Sequence, residues 1–363
     1  PTFSPAALKA MTPALTAPFE ALAEDWAHPS GAGQPRDVDA AMVAATLEVI
    51  ERVLFTDRTE FDLSVVASGT EAILKPMSWV VVGAILNLPE WLPYPGKRAQ
   101  FRARDEIRAM VLQMVARRRR EVAAGAAPDD LAAALLKARD PETDRPLSDD
   151  DMADMLLTLV GAGHETSAHT LSWALYCLAH QPRLQDALAA EAREALSEVG
   201  AEVGDGDAPD AASPLTQVAP ERLALTEAVI KETLRLFPVV PMMGRVATQD
   251  ETWRGERVPA GAMCAVPIYA LHRHDLYWER PDEFDIGRWL NQPAPPRTLY
   301  MPFGAGPRVC IGMRLAMMEM VLGLAAIMAR SRLEPGAETD CDPLHRVTLC
   351  PRDGLYLNVF PRD

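Results

Sequence analysis

The chain has 363 residues, of which 48% are hydrophobic and 24% charged, and its formal net charge is −15. This length suffices for one large core or two ordinary domains, and the acidity argues against nucleic acid as a partner and predicts a soluble protein. Five cysteines without a Cys-x-x-Cys pair fit a reducing cytoplasm rather than a disulfide scaffold. No apolar run approaches the ~20 residues that span a bilayer.

The first third of the chain is predicted to be helical. Apolar residues recur at spacings of three and four, as amphipathic helices require, over residues 6–26, 37–55, 60–86 and 96–124. Prolines between residues 89 and 95 separate the last two helices. The arginine run 117–120 resembles a nucleic-acid patch, but on a helix its side chains point in different directions, which favours a solvated helix end.

A long helix is predicted from Ser148, where a capping serine precedes three aspartates, up to Pro182. Its middle reads Ala162-Gly163-His164-Glu165-Thr166. Glycine and hydroxyl residues are poor chemistry for a helix interior, so the segment indicates either a kink with a capped carboxylate or a functional site. We expect the helix to be locally widened or bulged here.

Helices and short extended segments are predicted in the remainder. The helices cover residues 186–199 and 221–237, the strands cover 252–253 and 263–268, and a terminal hairpin covers 346–359, turning at Asp353-Gly354. Residues 200–214, rich in Gly, Ala, Asp and Pro, predict a flexible surface loop. His272 and His274 have no partners at ligand spacing, which favours a structural role over a metal site.

The strongest chemical signal is Cys310, which directly precedes an apolar helical pattern. A position just before a helix N-terminus suits a thiolate ligand, because unpaired N–H groups and the positive dipole end lie there. Gly304, Gly306 and Gly312 permit close approach of the backbone to a large flat ligand, and Arg308 suits a carboxylate. A lone cysteine is usually a small buried hydrophobe, but this setting favours a ligand.

The segment from Phe303 to Gly312 resembles the haem-ligand loop of the cytochrome P450 family, Phe-x-x-Gly-x-Arg-x-Cys-x-Gly. The resemblance implies that Cys310 is the axial iron ligand of haem b, with Phe303 near the sulfur and Arg308 on a haem propionate. It implies further haem contacts from Arg245, Gly304, Ala162, Ile311, Gly312 and Ala316. The family's animal ω-hydroxylases have a glutamate, esterified to haem, at the position of Ala162. The haem is therefore expected to be non-covalent apart from the Cys–iron bond.

A second motif lies in the middle of the long helix. Residues 162–166 match the family's Ala/Gly-Gly-x-Asp/Glu-Thr oxygen-binding motif. The match implies that Thr166 and Glu165 serve proton delivery during oxygen activation. It also implies that the small Ala162 and Gly163 leave room for O₂ beside the helix.

A third motif is structural. Glu232 and Arg235 lie three residues apart, which alone usually means an exposed pair of little energetic value. In the family this Glu-x-x-Arg pair is buried and bridged by a later arginine, which Arg288 matches. The resemblance therefore implies that these three residues hold the loop that presents Cys310.

The resemblance implies a mainly α-helical cytochrome P450 fold, with residues 1–363 forming a single haem-thiolate domain that we expect in the cytoplasm. In the family, a segment like residues 1–4 follows about the first hundred residues of the pattern. That part of the pattern is absent here, so an N-terminal membrane anchor is unobserved.

The activity implied is insertion of one atom of O₂ into a hydrophobic organic substrate. The sequence around Gly163 and over residues 284–289 resembles that of the fatty-acid-oxidising branch of the family, which favours lipid-like substrates. The expected substrate pocket is Leu159, Val239, Val240 and Met242. Electrons are expected from an external partner, an acidic ferredoxin or flavodoxin with its reductase, that docks on Arg297, Arg308 and Arg314.

Three alternatives stay open. A peroxide-driven haem peroxygenase shares the fold, but its relatives usually replace the Glu165–Thr166 pair. A non-enzymatic haem sensor or carrier would need only Cys310 and its loop. A cysteine-nucleophile enzyme would need a base near Cys310, and no histidine lies close to it in the sequence.

Overall fold

Helices dominate the computed structural model, which describes residues 4–55, 63–86, 88–89, 91–128, 130–139, 143–203, 213–336, 339 and 341–362. The predicted mainly α-helical class is confirmed. The α-helices of these residues are Pro5–Trp26 (α1), Val38–Leu54 (α2), Leu63–Leu74 (α3), Met77–Ile85 (α4), Lys97–Ala123 (α5), Leu131–Lys137 (α6), Asp149–Ala179 (α7), Pro182–Val203 (α8), Ala224–Leu236 (α9), Ile268–Leu271 (α10), Gly287–Leu290 (α11) and Met313–Arg330 (α12).

Short strands of the described residues form small antiparallel sheets. The strands are Gln34–Asp37 (β1), Met243–Val246 (β2), Glu251–Trp253 (β3), Glu256–Val258 (β4), Met263–Val266 (β5), Ser331–Pro335 (β6), Pro343–His345 (β7), Leu349–Pro351 (β8) and Tyr356–Pro361 (β9). One sheet has the order β1-β9-β6, and the others are the pairs β2–β5, β3–β4 and β7–β8. In the β2–β5 pair, Arg245 lies opposite Cys264.

The 31-residue helix α7 packs against α2, α5, α9 and α12. Its start is a capping box, in which the Ser148 hydroxyl accepts from the Asp151 N–H at 3.1 Å and the Asp151 carboxylate accepts from the Ser148 N–H at 3.2 Å. Acids in the first turn also complement the positive end of the helix. Residues 167–175 are all buried, so the second half of α7 belongs to the hydrophobic core.

Helix α12, which follows Cys310, is held firmly in the same core. Residues 319–329 are all buried, and α12 packs against α1, α7, α8 and α9. At Gly323 an added Cβ would lie 2.8 Å from the ring of Phe19, so only glycine allows α1 to approach this closely. The Cys310 loop is therefore followed by a rigid support.

The prediction of one helix over residues 60–86 is wrong. The structure has α3 and α4 instead, with Pro76 between them, because proline cannot donate the helical hydrogen bond and clashes with the preceding turn. Residues 60–62 of that prediction lie outside the described residues. Helix α6 was not predicted. It has only seven residues, but Asp130 caps it by accepting from the Ala133 N–H at 2.8 Å.

Two surface predictions are corrected in part. Arg118 is buried, and its guanidinium lies 2.9 Å from the Asp130 carboxylate, while Arg119 lies 2.7 Å from Asp149. The arginine run therefore connects α5 to neighbouring elements as well as meeting solvent. Residues 200–203 of the predicted loop continue α8, and residues 204–212 lie outside the described residues.

The predicted terminal hairpin over residues 346–359 is also wrong. Strand β8 pairs with β7, whereas β9 pairs with both β1 and β6. Gly354 does adopt a φ of 86°, but the segment around it connects two different sheets. Alternation along a strand cannot reveal that its partners lie far away in the chain.

The predicted widening of α7 is not observed, since the element is α-helical from Asp149 to Ala179. The Thr166 hydroxyl donates to the Ala162 carbonyl at 2.8 Å and is satisfied without opening the helix. At Gly163 an added Cβ would lie 2.9 Å from Cδ1 of Ile50 on α2. The space expected for O₂ beside Gly163 is thus partly filled by Ile50, and this glycine permits close packing of α2 on α7.

Candidate active site

The loop before α12 presents Cys310 through its own backbone. The Cys310 N–H donates to the Phe303 carbonyl at 2.9 Å, and the Val309 N–H donates to the Gly306 carbonyl at 3.1 Å. Gly304 and Gly306 have φ angles of 76° and 73°, in the left-handed region that favours glycine. The folded-back loop leaves the Cys310 side chain exposed at the wall of a cavity.

A cavity of about 350 Å³ joins this loop to the middle of α7. Its volume is typical of a pocket for a small ligand. Its walls come from α2, α6, α7, α9, the segment after α9, the Cys310 loop and α12. The predicted site residues that line it are Leu159, Ala162, Thr166, Val239, Val240, Phe303, Gly304, Arg308, Cys310, Ile311, Gly312 and Ala316.

Three residues predicted to serve haem, substrate or proton delivery lie outside this lining, namely Met242, Arg245 and Glu165. Met242 is 51% exposed, and Met243 lines the cavity in its place, because successive residues of an extended chain point to opposite sides. Met242 as a pocket residue stays a prediction. Arg245 is exposed on β2, where its Nη1 donates to the Gly244 carbonyl at 2.8 Å. Its contact with a haem propionate stays a prediction.

Glu165 also lies outside the lining. Its Oε1 is 3.5 Å from Nε2 of His169, one turn further along α7, and its side chain is 18% exposed. Consecutive residues of a helix point about 100° apart, so Thr166 lines the cavity while Glu165 points away from it. The role of Glu165 in proton delivery stays a prediction, and any path from it must pass around the helix.

A buried acid in the cavity wall was missed by the sequence analysis. Glu319 of α12 accepts a hydrogen bond from the Ser167 hydroxyl at 2.8 Å, and its other oxygen has no partner among the described residues. Burial raises the pKa of Glu319 to about 8, and the hydrogen bond from Ser167 opposes this only in part. The sequence feature that could have revealed Glu319 is its position as the one acid in a mostly apolar helix, nine residues after Cys310.

The predicted structural residues meet in one buried network. Arg235 is fully buried, and its Nε and Nη2 each donate to Glu232 at 2.9 Å. Glu232 also accepts from the Arg288 Nε at 3.3 Å and from the Trp289 indole at 2.9 Å. Each charge thus has several partners, as buried ions require.

This network continues to the Cys310 loop through His272. Arg235 donates from Nη1 to the His272 carbonyl at 2.9 Å, and the Met301 N–H donates to Nε2 of His272 at 3.0 Å. Burial, aided by nearby arginines, lowers the pKa of His272 to about 4, so its neutral ring can accept this bond. Tyr300 also donates to the Lys231 carbonyl of α9 at 3.0 Å. These contacts support the predicted role of α9 in holding the loop.

The residues around Cys310 fit a haem. Val309, Ile311 and Val240 are 46%, 75% and 38% exposed beside the thiol, an apolar surface that a flat apolar ring can cover. Arg308 on the same wall supplies a cation for a carboxylate. Within the described residues no group of three His, Cys, Asp or Glu side chains could hold a metal ion. A single sulfur donor suits an iron that is otherwise held by a macrocycle.

The fold is mainly helical, and a glycine-rich cysteine loop faces the middle of a long helix across an apolar cavity, an arrangement that suits a haem protein. The sequence profile of the cytochrome P450 family matches residues 1–359, and the chain belongs to this family.

Curated relatives include two proteins of Streptomyces melanosporofaciens. Cyclooctat-9-en-7-ol 5-monooxygenase is 34% identical over 89% of this chain and 68% of its own length, and cyclooctatin synthase is 35% identical over 88% and 66%. Cytochrome P450 3A41 of Mus musculus is 35% identical over 62% of this chain and 43% of its own. The chain thus spans about two thirds of the bacterial relatives and less than half of the mouse protein.

A solved structure shows the same fold. The heme domain of cytochrome P450DA has a TM-score of 0.79 and 28% identity, covering 100% of this chain and 76% of that one. The predicted cytochrome P450 fold is therefore confirmed, and the names of the relatives agree with the predicted monooxygenase class. Across the described residues, the helices are either too short or too polar to cross a membrane.

Proposed function

We propose that the protein is a haem-dependent monooxygenase that inserts one atom of O₂ into a hydrophobic organic substrate. The observation that carries this proposal is the single cavity that Cys310 and Thr166 both line. A haem sensor or carrier would need the cysteine loop but would have no use for a hydroxyl facing it. The names of the two bacterial relatives, a monooxygenase and a synthase, support the same class of reaction.

The residues of this chain have separate tasks. Cys310 would hold haem through its thiolate, which donates electron density to iron, and Arg308 would pair with a propionate. Haem held in this way would supply the activation of O₂. The Thr166 hydroxyl donates to Ala162 within α7, so its oxygen remains able to accept from a water in the cavity. By rotating, the same hydroxyl can donate into the cavity and place a proton there. Leu159 and Val239 exclude bulk water from this point.

The substrate class follows from the lining. The part of the cavity wall that α2 and α6 supply consists of aliphatic side chains such as Val49, Val53 and Leu131. Thr158 and Thr170 of α7 add two hydroxyls. Such a wall cannot satisfy many polar groups of a ligand, so a mostly hydrocarbon substrate is favoured. Cyclooctat-9-en-7-ol, after which one relative is named, is a mostly hydrocarbon molecule of this kind. We propose a cyclic or lipid-like hydrocarbon alcohol as the substrate class.

Members of this family take electrons from a redox partner, and we propose an acidic ferredoxin or flavodoxin for this chain. Arg314, at the start of α12, borders a groove that also includes Phe303, Met317 and Lys231. Arg308 lines the cavity, where we propose that it pairs with a haem propionate, and Arg297 and Arg314 are then the arginines proposed to meet the partner. On a chain of net charge −15, basic residues near Cys310 favour a negatively charged protein at this position.

We further propose that residues 1–363 act as one haem-thiolate domain in the cytoplasm. A continuous hydrophobic cluster joins α1, α2, α7, α12 and β9, which supports a single domain. All five cysteines are free thiols, which supports a reducing compartment.

The proposal is tested by replacing Thr166. In Thr166→Ala, haem binding and reductant consumption are expected to persist, while product formed per reductant consumed falls by about tenfold or more and peroxide accounts for the difference. The assay uses an apolar terpenoid alcohol or fatty acid that the wild type oxidises. Thr166→Ser, which keeps the hydroxyl, is expected to stay closer to wild type. An alanine variant as tightly coupled as wild type would make Thr166 a packing residue.

A further inference from the structure

A cluster of three titratable side chains lies on the outer side of α7. Nδ1 of His169 is 3.0 Å from Oδ1 of Asp39 in the first turn of α2, and its Nε2 is 3.5 Å from Oε1 of Glu165. The Ser172 hydroxyl also donates to Asp39 at 2.7 Å. The imidazole thus bridges two carboxylates from two helices, and one of them is the acid of the proposed proton-delivery pair.

The local sequence explains this arrangement. Glu165 and His169 are four residues apart on α7, so their side chains lie on one face of the helix. Asp37 caps α2 by accepting from the Ala40 N–H at 3.1 Å, and this sets Asp39 toward α7. His169 is 6% exposed, whereas the side chains of Asp39 and Glu165 are 15% and 18% exposed. The ring is therefore buried, and the two carboxylates beside it still reach solvent.

We propose that His169 is a positioning residue that holds Glu165 on the α2 side of α7 through an ion pair, and that Asp39 holds His169 in turn. This inference rests on the proposed function, because it concerns how the acid beside Thr166 is oriented. The positive ring fixes the Glu165 carboxylate at a solvent-connected place from which protons can be resupplied. Without it, Glu165 would rotate freely at the surface of α7 and its proton supply to Thr166 would become irregular.

The titratable groups around His169 determine whether its ring carries a charge. Burial alone would lower the pKa of His169, but the hydrogen bonds and charges of Asp39 and Glu165 outweigh it and raise the pKa to about 9. His164, also on α7, is buried, and burial lowers its pKa. Near the same carboxylates lies Cys350 of β8, with Arg346 beside it, and burial is the main cause that raises the pKa of this thiol to about 11.

The first test is a histidine titration by NMR on haem-loaded protein, with the His169 signal assigned by its loss in His169→Gln. His169 is expected to inflect near pH 9, and Asp39→Asn and Glu165→Gln are each expected to lower that inflection by about one pH unit or more. The signals of residues far from α7 should be the same in all variants, which controls for a change of fold. An inflection of His169 that neither variant moves would overturn the ion pair.

The second test is the pH profile of coupling, measured as product per reductant consumed. Wild type is expected to lose coupling as pH rises through about 9, since the ring then becomes neutral. His169→Gln is expected to be about tenfold less coupled than wild type below pH 9, the scale of one hydrogen bond to a charged group, and to approach wild type above it. Asp39→Asn, which leaves α7 unchanged, is expected to shift the loss to lower pH. A His169→Gln enzyme with wild-type coupling throughout would overturn the proposal.

Failure of this inference is distinguishable from failure of the proposed function. If the wild type shows a thiolate–haem spectrum and yields product, only the two outcomes named above bear on His169. If the wild type yields no product with any reductant, the proposed function fails first, and the titration still decides whether the ion pair exists.

Discussion

Burial determines the protonation of Glu319. It lies in the cavity wall with Ser167 as its hydrogen-bond donor, and a carboxylate in such a place is costly because little solvates it. Its pKa of about 8, raised by burial from the ordinary 4.5, means that the folded protein keeps a proton there at neutral pH. A neutral acid beside a cavity can donate a hydrogen bond, which an ionised acid cannot.

This pKa predicts a pH dependence of stability. Between pH 4.5 and 8 the unfolded chain releases the Glu319 proton while the folded chain keeps it, so the free energy of unfolding falls as pH rises, by about 1.4 kcal/mol per unit from this group. Glu319→Gln, which mimics the protonated acid, is expected to remove that slope. The check is urea unfolding at several pH values, with the exposed Glu279→Gln as control. Parallel pH curves for wild type and Glu319→Gln would contradict the assignment.

At the scale of elements, α9 connects the core to the cysteine loop. Glu232 and Arg235 near its end are buried, and Arg235 donates to the backbone carbonyls of residues 272, 281 and 283 as well as to Glu232. The resemblance to the family implied this triad, because Glu-x-x-Arg by itself usually means an exposed pair. It did not show that His272 continues the network to Met301, because that contact depends on tertiary structure.

Breaking the α9 network is expected to be severe. Arg235→Leu leaves the fully buried Glu232 without its main partner and is expected to cost about 3–5 kcal/mol of unfolding free energy. Arg257→Ala, which removes an exposed pair with Asp250, is the control and is expected to change stability very little. Urea unfolding followed by circular dichroism measures both. A leucine variant as stable as the control would show that the network is not needed to hold the fold.

At the scale of the whole molecule, short motifs and long helices were predictable and tertiary contacts were not. The Cys310 loop and residues 162–166 are local patterns, and the structure brings Cys310 and Thr166 to one cavity while Glu165 stays outside its lining. No local pattern in the sequence predicts that Ile50 lies beside Gly163, or that β9 pairs with two strands that are not its neighbours in the chain. The kinked or bulged helix was predicted from poor local chemistry, but packing against α2 and the Thr166–Ala162 bond keep it regular.

The central claim concerns which sulfur binds iron. Cys310 is exposed at the cavity, whereas Cys177 is buried and burial strongly raises its pKa, so the latter is a poor source of thiolate. Cys264 is exposed as well, but it lies on β5 and outside the cavity lining, which makes it the matched control.

The most direct measurement is the absorption spectrum of the reduced, CO-bound protein for wild type, Cys264→Ser and Cys310→Ser. Wild type and Cys264→Ser are expected to show the red-shifted band of a thiolate opposite CO, together with product formation from the probe substrate. Cys310→Ser is expected to lose both while still folding, because only the iron ligand has changed. A red-shifted band retained in Cys310→Ser would contradict the account.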